Sequence, residues 1–139
     1  MQILMLEHNG WIPNNPNLPV LVYLNAIASQ HIDLASQFEA AFSTNGWPLQ
    51  WRNGVYGYHH YHAEGHEVLG IANGHARLML GGPDGFVIQA RAGDAFATRR
   101  HRSVQLELQR RLSGGLRLPG GTARGHLSRG TKQVATGED

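Results

Sequence analysis

Between Gly54 and Asp94 the chain is cut at near-regular intervals by glycine-bearing turns, with short β-compatible runs between them. Residues 55–62 end at Ala63-Glu64-Gly65, and residues 67–72 end at Asn73-Gly74. Residues 75–80 end at Gly81-Gly82-Pro83-Asp84-Gly85, and residues 86–91 at Ala92-Gly93-Asp94. Runs this short cannot bury much as helices, whereas strands of five to eight residues joined by tight turns can. The pattern predicts an antiparallel meander, with Asn73-Gly74 as a two-residue hairpin turn. A sheet of that kind buries itself as a sandwich or a barrel, so the fold class is expected to be all-β.

Upstream the signals are different. Asn9-Gly10 and Pro13-Asn14-Asn15-Pro16 are turn chemistry, and residues 18–24 form a valine-rich run of strand length. One helical pattern follows. Asp33 is the expected N-cap, Leu34, Phe38 and Phe42 recur on one face, and Asn45-Gly46 supplies the stop. A helix is expected over about residues 33–42, packed on the domain by that stripe.

With 139 residues and 41% apolar content, the chain suits one globular domain with a real core. It has no cysteine, which removes disulfides and thiolate metal sites and fits a reducing cytoplasm. No apolar run approaches the roughly 20 residues that a membrane helix needs. The first eleven residues lack the basic stretch and cleavage site of a signal peptide. A cytoplasmic protein without membrane contact is therefore expected.

Charge divides the chain unevenly. Residues 1–98 carry three basic and seven acidic side chains, a net of −4, while residues 99–139 carry nine and three, a net of +6. A basic tail is one route to nucleic acid. This tail has no Phe, Tyr or Trp to stack on bases and no clean strand or helix period, so nucleic-acid binding ranks last among the expected functions.

Four of the nine histidines fall within eight residues, at His59, His60, His62 and His66, and Glu67 follows at once. In a strand, alternate side chains share a face, so His60 and His62 project together while His59 and Tyr61 point the other way. A turn through 63–66 lets Glu67 open a neighbouring strand and face the same cavity. Two imidazoles and a carboxylate make a facial set for a borderline divalent cation. The competing reading is a surface histidine patch. His59 and His66 are expected to steady the ligating rings or to face solvent. His8, His31, His75 and His126 are isolated and read as ordinary. Trp47 and Trp51 are expected to pack in the core, and Arg77 and Arg91 to lie on a solvent face rather than to anchor an anionic substrate.

Gly54, His60, His62, Glu67 and Gly74 stand at the spacing of the first cupin motif. The longer text, Gly46-Trp47-Pro48, then Trp51-Arg52-Asn53-Gly54-Val55-Tyr56, His59-His60-Tyr61-His62 and His66-Glu67-Val68-Leu69-Gly70, resembles small bacterial single-domain cupins of the YjlB-like group. The likeness runs on through Leu80-Gly81-Gly82 to Ala92-Gly93-Asp94. It implies an antiparallel jelly-roll barrel, incomplete here, with His60, His62 and Glu67 as metal ligands and Gly74 as the hairpin turn of the motif. It also implies a divalent metal ion (iron, manganese, nickel or zinc), a small-molecule substrate, and dioxygenase-like or isomerase-like chemistry. A non-catalytic or inactivated small-molecule-binding cupin is the alternative. Such proteins often dimerise through sheet edges and N-terminal arms, so a homodimer is compatible with the resemblance.

The second cupin motif breaks. Gly93 starts it, but Arg99 stands in place of the proline, His101 in place of the glycine and Val104 in place of the histidine ligand. The expected organisation is thus an arm and short helix over residues 1–53, a barrel core over 54–98 and a basic, glycine-rich tail over 99–139. A shift of reading frame near codons 95–98 explains both the lost motif and the charge reversal. Back-translated and read one base later, Thr98 to Val104 can give Pro-Ala-Gly-Thr-Gly-Gln, which restores the turn of that motif. The alternative is a divergent basic tail. A sheet that stops early leaves open edges, which invite association.

Overall fold

The computed structural model describes residues 1–10, 12–30, 32–48, 51–53, 65–98, 106–108 and 131–136; residues 51, 53, 106–108 and 131–136 are described as backbone. Within them lie strands β1 (Gln2–Leu4) and β2 (Val20–Tyr23), helix α1 (Leu34–Thr44), and strands β3 (Trp51–Asn53), β4 (Glu67–Asn73), β5 (His75–Leu80), β6 (Phe86–Arg91), β7 (Ala95–Thr98), β8 (Leu106–Leu108) and β9 (Thr131–Thr136). The fold is mostly antiparallel β-sheet with one short helix, and among the described residues the sheets do not close into a barrel. One sheet has six strands in the order β1-β2-β7-β4-β9-β3, and the other three in the order β6-β5-β8.

The helix forms where its caps and stripe place it. Asp33 accepts hydrogen bonds from the Ser36 amide at 3.1 Å and the Ser36 hydroxyl at 2.6 Å, satisfying a first-turn donor. Leu34, Phe38 and Phe42 are the buried face. At the other end Gly46, at φ +76°, donates to Ser43 O, and Trp47 N donates to Phe42 O. That pair of bonds is the Schellman closure, and Trp47 packs against the cluster that holds Phe42. Arg52 then ties β3 to the helix by a two-pronged bond to the Glu39 carboxylate, one prong Nη2 to Oε2 at 2.7 Å, and holds that carboxyl below its ordinary range.

Strand β4 organises the layers. Five consecutive residues, Glu67 to Ile71, are buried, because the strand is covered on both faces. Leu69 and Ile71 face the three-stranded sheet and meet Leu78, Leu80, Ala76 and Ala90 there, together with Val20, Val22 and Phe96. On the opposite face Val68 packs with Phe38, Phe42 and Ala95 beneath α1. The order is helix, large sheet, apolar layer, small sheet. β5 has only one covered face, so its residues alternate between buried Ala76, Leu78 and Leu80 and outward His75, Arg77 and Met79.

The expected meander is corrected by the pairing. β4 and β5 follow each other but belong to different sheets: β4 pairs with β7 and β9, and β5 with β6 and β8. Asn73-Gly74 is therefore a corner between layers and not a hairpin turn, with Gly74 at φ +66°. The two edges of each strand are already occupied, so β4 and β5 have no edge left to offer one another. Residues 92–94 form a second corner alongside the first. Ala92 N donates to Gly74 O, Gly93 N to Ile71 O and Ile71 N to Asp94 O, each at 2.9 Å. Residues 67–98 are in effect one long hairpin, folded over at its middle so that each arm serves both sheets. Its tip, residues 81–85, is clamped by the arm: Asn9 Nδ2 donates to Gly81 O and Pro83 O, and Asn14 Nδ2 to Gly81 O.

The N-terminal arm supplies β2 within the expected strand run of residues 18–24, and β1 and β2 together extend the large sheet beside β7. The tail supplies β8 beside β5, and β9, which runs parallel to both β4 and β3.

Candidate functional site

Glu67 opens β4, and strand alternation places it on the same face as Leu69 and Ile71, toward the space between the sheets. It is 1% exposed. Burial pushes its carboxyl up to about 7, because the charged form loses its hydration there. A carboxyl in such a place keeps its proton to near neutral pH.

Its neighbours are set by register. Thr98 of β7 stands directly opposite Glu67, is itself buried, and donates from Oγ1 to Glu67 O at 3.4 Å. One step along, Leu69 pairs with Phe96, and both are fully buried. The apolar layer thus ends at Glu67 and Thr98, which present polar atoms at its margin. On the other flank β9 places Thr131 at the register position of Glu67. Just before the strand, the His66 ring meets Trp47 edge-on, with centroids 6.3 Å apart.

Of the three expected metal ligands, Glu67 is described, whereas His60 and His62 lie outside the described residues, as does His59. Among the described residues no group of three His, Asp or Glu side chains gathers. The one described member fits a cation's needs, being a buried carboxyl with its pKa raised by desolvation. Trp47 packs with the cluster of Phe38, Phe42, Val68 and Ala95, in keeping with a core role. Arg77 and Arg91 lie exposed on β5 and β6, on a solvent face as expected.

Thr98 was not among the expected site residues. The signal for it lay in period two: Thr98 and Phe96 share a face, and Phe96 faces inward. Asp94 is a second buried carboxylate, but it is committed to the fold, accepting from Asn25 N at 2.8 Å and Arg91 N at 3.0 Å.

Among the described residues no helix is long and apolar enough to cross a membrane. No family model matches the chain, and no solved structure matches it. The uncharacterized protein YjlB of Bacillus subtilis (strain 168) is similar to it, at 35% identity over 94 residues, which is 68% of this chain and 54% of that protein. The chain thus spans about half the length of the curated relative it matches, and its likeness to the YjlB-like group stands on that alignment.

Proposed function

We propose that the chain is a metal-binding cupin, with a divalent cation held by His60, His62 and Glu67, and that it is itself a metal-dependent enzyme of dioxygenase-like or isomerase-like chemistry on a small-molecule substrate. The observation that carries this is the placement of Glu67, a carboxyl 1% exposed at the margin of the apolar layer. Its spacing from His60 and His62, the similarity to YjlB, and a long hairpin shared between two facing sheets support the jelly-roll reading.

When bound, such a cation supplies Lewis-acid or dioxygen-activating chemistry. The chain's own residues provide the setting. Leu69 and Phe96, both fully buried next to Glu67 along the paired strands, give its carboxyl an apolar neighbourhood, which strengthens its polar contacts. Glu67 changes from a proton-holding to an anionic form near neutral pH, so cation binding displaces a proton from its carboxyl. Thr98, paired opposite Glu67, directs its hydroxyl proton to the Glu67 main-chain carbonyl.

The test is metal content measured on the purified chain, on His60→Ala/His62→Ala and on Glu67→Gln. About one divalent ion per chain is expected in the wild type, with loss in both variants while the circular-dichroism spectrum is kept. Equal metal in the wild type and the double variant would sink the assignment.

A second reading is a cupin that binds a small molecule without turnover. Val104 favours it, standing where the second motif has its histidine ligand. It predicts ligand-dependent stabilisation with no product formed by the metal-loaded protein.

A further inference from the structure

We infer that Asn73-Gly74 is a spontaneous modification site, at which the corner between the two sheets ages by deamidation and isoaspartate formation. The chain has four Asn-Gly dipeptides, at residues 9–10, 45–46, 53–54 and 73–74. Asparagine is thermolabile, and a following glycine removes the steric obstacle to cyclisation because it has no Cβ. The glycine amide nitrogen attacks the asparagine Cγ, the side-chain nitrogen leaves as ammonia, and a succinimide ring forms. Water then opens the ring at either carbonyl. One opening yields aspartate, and the other yields isoaspartate, in which the main chain runs through the former side chain. Water is the only co-reactant.

The fold treats the dipeptides unequally. Asn9 has its carboxamide held by two carbonyls, with Nδ2 donating to Gly81 O at 3.0 Å and Pro83 O at 2.8 Å. Asn45 donates from Nδ2 to Ala41 O at 2.8 Å, and the attacking amide of Gly46 is engaged with Ser43 O at 3.0 Å. In both, hydrogen bonds must break before the ring can close. Asn73 is exposed, and its side chain makes no hydrogen bond among the described residues. It also sits at the end of β4, where the β4–β9 register shifts between Ile71 and Asn73 and the regular ladder is interrupted. For Asn53 the side chain lies outside the described residues.

The position gives the reaction a structural consequence. The next residue, Gly74, accepts from Ala92 N, and Ile71 exchanges bonds with Gly93 and Asp94, so the corner clips the two arms of the long hairpin together. Isoaspartate at 73 inserts a methylene into the main chain beside that clip. Either product also adds a carboxylate to the shallow cleft shared by Asn73 and the helix cap Asp33.

The experiment incubates the full chain at mildly alkaline pH and maps its peptides by mass, using isoaspartate-specific methyl transfer to separate the two products. Several-fold more conversion is expected at Asn73 than at Asn9 or Asn45. The aged wild type should show a lower-melting population that aged Asn73→Ser lacks. Asn73 left intact, or converted no faster than Asn9 and Asn45, overturns the site. Asn73 converted while the melting curve is unchanged overturns the role given to the corner.

Discussion

The ring of Phe38 lies directly over Gly70, so close that a Cβ there would stand 2.6 Å from the ring's Cγ. Cδ1 and Cδ2 would be 2.7 and 2.9 Å away, so the whole ring is in the way rather than one flexible end. Glycine is required at this point by close approach, since it lets α1 settle onto β4. Gly70→Ala is expected to destabilise by roughly 1–3 kcal/mol, as overpacking does, with the loss read from a urea midpoint. An unchanged midpoint would mean that the helix does not rest on β4 in this way.

Asp94 pins the second corner through Asn25 N and Arg91 N. Asp94→Ala leaves two part-buried amide donors without their acceptor, and should cost about 1–2 kcal/mol. Asp94→Asn keeps one acceptor oxygen and should fall between alanine and wild type. Chemical denaturation of the three proteins gives the ranking, and equal stability of all three would remove the corner from the account.

Stability without metal should fall as pH rises through the range set by Glu67. Its folded pKa of about 7 lies above the ordinary value of 4.5, so the folded state holds the proton more tightly than the unfolded chain. Folding therefore benefits fully below about 4.5, and the benefit is lost as pH climbs toward 7. A shift of this size corresponds to roughly 3 kcal/mol across the window. Melting temperatures in chelator across that range should decline for the wild type and stay flatter for Glu67→Gln. A decline of the same size in both would place the cause elsewhere.

Lys132 belongs to a tail whose charge differs from the rest of the chain, and β9 lies parallel between β4 and β3. If the frame shifts near codons 95–98, sequencing the coding DNA across codons 93–122 on both strands will show a gained or lost base. The restored text then supplies the Pro-x-Gly turn of the second motif. An intact frame would establish the basic tail as the true product.

Much of this protein was legible in its sequence because local chemistry decides it. Asp33, the Leu34/Phe38/Phe42 stripe and Gly46 specify a helix by capping and periodicity alone; it begins right after Asp33 and runs to Thr44, two residues past the expected end at residue 42, up to the Asn45-Gly46 stop. The short β-runs mark β4, β5 and β6 because glycine turns bound them, and alternation along β4 puts Glu67 on one face with Leu69. What sequence could not decide was which strand lies beside which. Asn73-Gly74 is chemically a good hairpin turn, yet it became a corner, because pairing depends on which edges other strands have already taken. The same holds for Thr98, which joins Glu67 only through the register of β4 with β7, and for Gly70, whose need for bareness comes from the ring of Phe38. Turn and cap preferences are properties of a few adjacent residues, whereas layer assignment, register and close approach are set by contacts between residues far apart in the chain.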